Sequence, residues 1–193
     1  MRLVPVSSIC TAPNNVGYVG NTNRAETAEI LTIAAIKYSF LRSSLGKDIV
    51  FSFEESLSFE GNSGPYLLYT IVRCKSILGK AGENLYQKEL SNLEFIISPM
   101  QSRQANLEFD VSILRLLIHF PDIVFQAARQ YAPHLLCNYL HKLAQEFNAY
   151  YDKAPILKTE GDLRTLRLAI VEKVNATLIS GIRMLGFQEV ERM

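Results

Sequence analysis

Residues 132–157 read APHLLCNYLHKLAQEFNAYYDKAPIL, and the fold turns on this stretch. Leu136, Leu140, Leu143, Phe147 and Tyr150 recur at steps of three and four residues, which lines them up on one side of an α-helix. A half-buried strand would alternate apolar and polar residues instead. The same spacing continues on both sides. Upstream, Leu107, Val111, Leu114 and Ile118 make another stripe; downstream, Leu163, Leu166, Ile170, Leu178, Ile182 and Leu185 place apolar groups on two faces of a long helix from about Asp162 to Leu185. Pro121 and Pro133 separate the helices, and Gly186 suits the end of the last one.

Further toward the N-terminus, Ala28, Leu31, Ala35, Tyr38, Leu41 and Leu45 predict an amphipathic helix over 24–45, with Gly46 as its C-cap. Ile49 to Phe53 reads as a short extended piece, and 53–59 as helix-like. The cluster Gly61, Asn62, Ser63, Gly64, Pro65 marks a turn, and Pro65 fits the first turn of a helix running to about Lys80, capped by Ser63 or Asn62. The expected architecture is all-α, a helix bundle preceded by a smaller helical segment. Residues 1–23 read as a loop or arm, 24–82 as the helical segment, 83–104 as a connection and 105–193 as the bundle.

Composition narrows the function classes. Of the 193 residues 48% are hydrophobic, enough for a packed core, and 20 basic side chains against 19 acidic ones leave a net charge of +1. Any nucleic-acid contact must therefore rest on local patches. Cys10, Cys74 and Cys137 are odd in number and widely spaced, which argues against a disulfide framework or zinc site and fits a reducing, cytoplasmic compartment. Pro5, Ser7 and Ser8 interrupt the N-terminal apolar residues before a signal-peptide core forms. No apolar run approaching the ~20 residues of a membrane span is expected.

Two sets of residues stand out as binding candidates. Tyr66, Tyr69 and Arg73 share one face of a predicted helix and offer two rings and a guanidinium to a nucleic-acid backbone. Read on spacing alone, they are equally two packing tyrosines with Arg73 lying over them. Lys75 and Lys80 extend the segment as phosphate neutralisers or as ordinary solvated lysines. Tyr150 falls on the apolar stripe, so Tyr151 is the ring left to stack on an unpaired base; the alternative is two core tyrosines. His119, His134 and His141 stand at no recognised metal-ligand or acid-base spacing and read as structural. Glu54, Glu55 and Glu60 read as a solvated face. Gly61 and Gly64 lack the lysine and hydroxyl of a phosphate-binding loop. No catalytic and no metal-binding residue is expected.

IKYSFL at 36–41, FSFEESLSFEGNSGPYLLYTIVRCKSIL at 51–78, APHLLCNYLHKLAQEFNAYYDKAPIL at 132–157 and the ending MLGFQEVERM together resemble arginyl-tRNA synthetases, over roughly residues 29–193. The resemblance implies the C-terminal part of a class I arginine-tRNA ligase, with a DALR-type anticodon-binding domain preceded by the end of the catalytic half. By that resemblance Tyr66, Tyr69, Arg73 and Lys75 face the inner side of the tRNA, while Tyr151 and Met193 lie near the anticodon. PYLLY carries Leu68 where the family usually has glutamine. The family uses ATP and, in most members, magnesium to attach arginine. The HIGH-type and KMSKS-type motifs for that chemistry do not occur in this sequence. The chain is thus expected to bind no cofactor and to be inactive alone, as a fragment, a truncated frame or a shortened relative. Its implied partners are arginine-accepting tRNA and the absent catalytic half, with no membrane.

The competing class is a free-standing helical module that binds tRNA or a protein without ligase activity; a third is an unrelated helical scaffold. One geometric expectation is specific to the tail. A helix over 162–185 is roughly 36 Å long at 1.5 Å per residue, whereas the seven residues after Gly186 span at most about 25 Å. Met193 borders the same surface as Tyr151 only if the last two helices depart from a straight antiparallel pair, and such a departure, with Tyr151 and the tail on one shared surface, is the expectation.

Overall fold

The computed structural model describes residues 21–82 and 108–193, and every element in them is helical. Of the expected arm over 1–23, residues 1–20 lie outside the described residues, as does the expected connection over 83–104, while 21–23 are helical. Seven helices follow in order: α1 (Asn21–Leu41), α2 (Phe53–Leu57), α3 (Gly64–Ala81), α4 (Glu108–Ile118), α5 (Phe120–Arg129), α6 (Pro133–Lys153) and α7 (Gly161–Met184). The all-α reading holds, and no strand occurs at 49–53 among these residues.

Several boundaries move for local reasons. Helix α1 starts three residues earlier than predicted and stops at Leu41, so Leu45 is 70% exposed and Gly46, at φ +81°, sits in a turn beyond the helix. Helix α3 begins as expected: the Ser63 hydroxyl accepts the backbone N–H of Tyr66, and Pro65 occupies the first turn, where it has no N–H to lose. Pro121 also lies in a first turn, that of α5, so the break between α4 and α5 falls at His119 and not at the proline.

Helix α3 is the centre of the bundle. It packs on α1, α6 and α7, and one continuous core joins Leu31, Tyr38, Leu67, Ile71, Cys74, Leu140, Phe147, Val174 and Leu178. Gly64 allows the closest approach, because a Cβ there would lie 2.4 Å from the carbonyl oxygen of Ala34 on α1. The ring contact of Tyr66 with His141 and the bond of Arg73 to Asn148 show that α3 and α6 run in the same direction. Helix α7 runs back, its first turn reaching Ala81 through Arg164.

Inside the bundle, Asp110 is 1% exposed; it accepts a hydrogen bond from the Tyr150 hydroxyl at 2.7 Å and faces Arg167 Nε at 3.6 Å. That triad fixes α4 against α6 and α7. Contrary to the sequence expectation, one stretch, Asp110–Arg129, is long and apolar enough by length and composition to cross a bilayer. Only 6% of it is buried in this chain, on the side where α4 packs on α6 and α7 and α5 lies along α6, and Ile118 and Phe125 are exposed.

The predicted stripe of α1 is buried within this chain, with Ala28, Leu31, Ala35 and Tyr38 all under a tenth exposed. A different face of α1 is left open. Ile33, Ile36 and Phe40 are exposed there, and Phe40 stacks at 6.1 Å on Phe51, which meets the exposed Phe53 at 4.9 Å.

Candidate nucleic-acid interface

Tyr69 and Arg73 are one turn apart on α3, and Tyr151 stands in the last turn of the parallel helix α6. The structure closes the gap between them. The Arg73 guanidinium carbon lies 4.9 Å from the Tyr69 ring centre and 5.1 Å from the Tyr151 ring centre, so one cation is held between two aromatic faces. Arg73 also donates to the Tyr69 hydroxyl at 2.6 Å and to Asn148 Oδ1 at 2.9 Å. An arginine has five N–H donors. The cluster is therefore anchored and still has donors to offer.

Both tyrosines are 37% exposed, so each ring has one side covered by Arg73 and part of its surface in solvent. Tyr66 is different. It is 9% exposed, its ring meets His141 at 5.5 Å, and its hydroxyl accepts from Asn148 Nδ2 at 2.9 Å. It braces the cluster from below. Leu68, where the family usually has glutamine, is fully buried and contributes core, not surface.

Asn148 was not singled out in the sequence, yet it links three groups on α3. Its Nδ2 donates to Tyr66 and, at 3.1 Å, to Thr70 Oγ1, while its Oδ1 accepts from Arg73. The available signal was helical spacing: His141, Asn148 and Tyr151 are seven and three residues apart and so share a flank of α6. A polar residue beside an apolar stripe reads as solvated until its partner helix is known.

Lys75 and the tail are brought together, but away from this cluster. Lys75 is two residues beyond Arg73, about 3 Å along the axis and about 200° around it. There its ammonium meets Glu189 at 3.1 Å and Glu191 at 2.7 Å. The chain leaves α7 at Gly186, beside Lys37, and runs back along α3 to this point, with Met193 half-buried against the core. The tail regains the level of Arg73, as a fold-back requires, with α3 standing between Glu189–Glu191 and the Tyr69–Arg73–Tyr151 face. Lys80 is exposed.

The His119 side chain is 66% exposed and its Nδ1 lies 3.8 Å from Asp122. Burial, with the Arg42 charge adding to it, holds the His141 imidazole below its usual pKa. Glu55 pairs with Arg42 at 3.1 Å. Among the described residues no group of His, Cys, Asp or Glu is placed to hold a metal ion. Gly64 is pressed against the Ala34 backbone.

Comparison with known proteins bears on the family and the fold. Residues 67–193 match the DALR anticodon binding domain family. The chain is 35% identical over 171 residues to arginine–tRNA ligase of Halothermothrix orenii, covering 89% of this chain and 28% of the relative. Against the enzyme of Pyrococcus abyssi it is 35% identical over 175 residues, covering 91% of this chain and 27% of the relative. Among solved structures, Thermus thermophilus arginyl-tRNA synthetase superposes with a TM-score of 0.72 at 32% identity, over 87% of this chain and 27% of that one. The Plasmodium falciparum arginyl-tRNA synthetase shares the fold, with a TM-score of 0.68 at 21% identity over 90% of this chain and 29% of that one. The chain thus spans a little over a quarter of the length of these relatives.

Proposed function

This chain belongs to the DALR anticodon-binding family, and on that premise we propose that it is the tRNA-gripping region of an arginine–tRNA ligase, with Tyr69, Arg73 and Tyr151 as its central contact. The observation that carries this reading is the guanidinium held between two half-exposed rings contributed by different helices. Arg73 supplies positive charge for a phosphate without searching for its geometry, because Tyr69, Tyr151 and Asn148 have already immobilised it. The open parts of the two rings are surfaces on which unpaired bases of a tRNA loop stack. Tyr66 supports them from the core. Lys75 and Met193 belong to a second edge, formed by the tail on the opposite flank of α3.

Attachment of arginine, with ATP and magnesium, belongs in this reading to the catalytic half, since most of each relative's length lies outside the matched region. The exposed Ile33, Ile36, Phe40 and Phe53 surface is the face on which that half docks; its apolar, aromatic character suits a permanent interface. The cell compartment is the cytoplasm, where aminoacyl-tRNA synthetases generally work.

Fluorescence anisotropy with an arginine-accepting tRNA tests the contact. Tyr151→Ala and Arg73→Ala each weaken binding by about 1–3 kcal/mol, the range for a lost stacked base, while Lys173→Ala on the exposed side of α7 leaves it unchanged. Equal affinities for all four proteins would remove Arg73 and Tyr151 from the interface.

A further inference from the structure

A lysine that reaches phosphate must keep its ammonium free, and Lys75 does not. Its Nζ lies 2.7 Å from Glu191 Oε1 and 3.1 Å from Glu189 Oε2, and donates to the Val190 carbonyl oxygen at 3.5 Å. Glu189 is shared: its other oxygen accepts from Arg183 at 2.6 Å, which ties the last turn of α7 to α3 through the tail. Burial by itself would lower the Lys75 pKa and raise that of Glu189. Against that burial, the hydrogen bonds and charges of Glu191 and Glu189 around the ammonium, and of Lys75 and Arg183 around the Glu189 carboxyl, together prevail, so the ammonium titrates above and the carboxyl below their ordinary values.

The tail is seated as well as paired. Phe187 and Val190 are each 3% exposed, Met193 packs on the core, and Lys37 donates to the Gly186 carbonyl where the tail departs. Gln188, Glu191 and Arg192 point outward. The segment is thus an extended strap with apolar anchors, and Lys75 sits under its middle.

We propose that Lys75 is a positioning residue: by pairing with Glu189 and Glu191 it clamps the 186–193 strap along α3, and it acts on RNA only through that strap. The RNA clause rests on the proposed function above; the clamp itself does not. The two roles differ in physics. A lysine bound to phosphate releases counterions, and its loss reduces the slope of log affinity against log salt by about one. A lysine already neutralised by two carboxylates releases none.

The test uses the full chain with Lys75→Met, Lys75→Arg, Glu189→Gln and the Lys75→Met/Glu189→Gln double variant. Carboxypeptidase release of the C-terminal residues reads the strap directly. Lys75→Met is expected to speed release roughly three- to tenfold, as loss of a small ion-pair network permits. Lys75→Arg keeps the rate near that of the parent, and the double variant is no faster than the faster single one. In a tRNA salt titration Lys75→Met lowers affinity without changing the slope. Unchanged release in Lys75→Met, or a slope reduced by about one, would overturn the proposal. If the parent chain binds no tRNA, the proposed function fails and the release rates alone decide the clamp.

Discussion

Asp110 and Arg167 face each other with almost no solvent between them, the carboxylate 1% and the guanidinium side chain 9% exposed. Removing one member of such a pair strands the other. Arg167→Met is therefore expected to cost about 3–5 kcal/mol in urea unfolding, and adding Asp110→Asn should recover much of it, because the neutral amide still accepts from Tyr150. An equal loss in the double variant would mean that the guanidinium matters for packing and not for charge. His141 gives a pH signature. Its folded-state pKa is held below the usual 6.5 by burial and by Arg42, so the unfolded chain binds the proton more readily. Stability then rises with pH between the lowered value and about 6.5, and is lost as pH falls through that window. In His141→Gln the thermal midpoint should decline less between neutral and mildly acidic pH; parallel declines in the two proteins would show that other groups cause it. None of these partners is visible in one dimension: Asp110 lies 57 residues before Arg167 by their numbers, and each reads as an ordinary surface charge until the helices pack.

Helix ends show where local chemistry suffices and where it does not. Gly186 was legible as a stop, and the structure shows why: its N–H donates to Arg183, the next N–H to Ile182, and φ is +81°. This is a Schellman closure, in which a side chain at the left-handed position is strained. Gly186→Ala should cost about 1–2 kcal/mol, read by thermal unfolding, and should loosen the strap that starts there. Gly64 was read as turn chemistry, yet its conformation is helical and its need is space. A Cβ would run into the Ala34 backbone, which cannot rotate away, so Gly64→Ala is expected to destabilise by about 1–3 kcal/mol and to separate α1 from α3. A stability equal to the parent's would show that α1 shifts freely. The break at His119 was misplaced by two residues because proline disfavours a helix interior but is well suited to a first turn.

At the scale of the molecule, the open face of α1 and α2 has consequences for the chain in isolation. Phe40, Phe53, Ile33 and Ile36 together form an apolar patch of the kind that drives association. The isolated chain is expected to self-associate with rising concentration in sedimentation velocity, and Phe53→Ser, at a site 72% exposed, to reduce this without lowering the unfolding midpoint. Concentration-independent sedimentation of the parent would remove the argument for a docking face. In the same preparation, arginine-dependent ATP–pyrophosphate exchange is expected to be absent, and to appear when the catalytic half is supplied.

The sequence by itself determined the helices, the all-α class and the family, because a period of 3.6 residues, capping residues and turn glycines act over a few neighbours. It also placed Tyr66, Tyr69 and Arg73 on one helix face and named Tyr151 as a separate candidate. Only the tertiary structure joined the two sets, by setting α3 parallel to α6, and only it brought the tail to Lys75, which helix geometry already turns away from Arg73. Tyr151 meets Arg73 at a sequence separation of 78, and Glu191 meets Lys75 at one of 116. Which flank of α3 faces which neighbour is settled by the burial of Leu67, Ile71 and Cys74 in a core assembled from five helices, and no window of local sequence contains that sum.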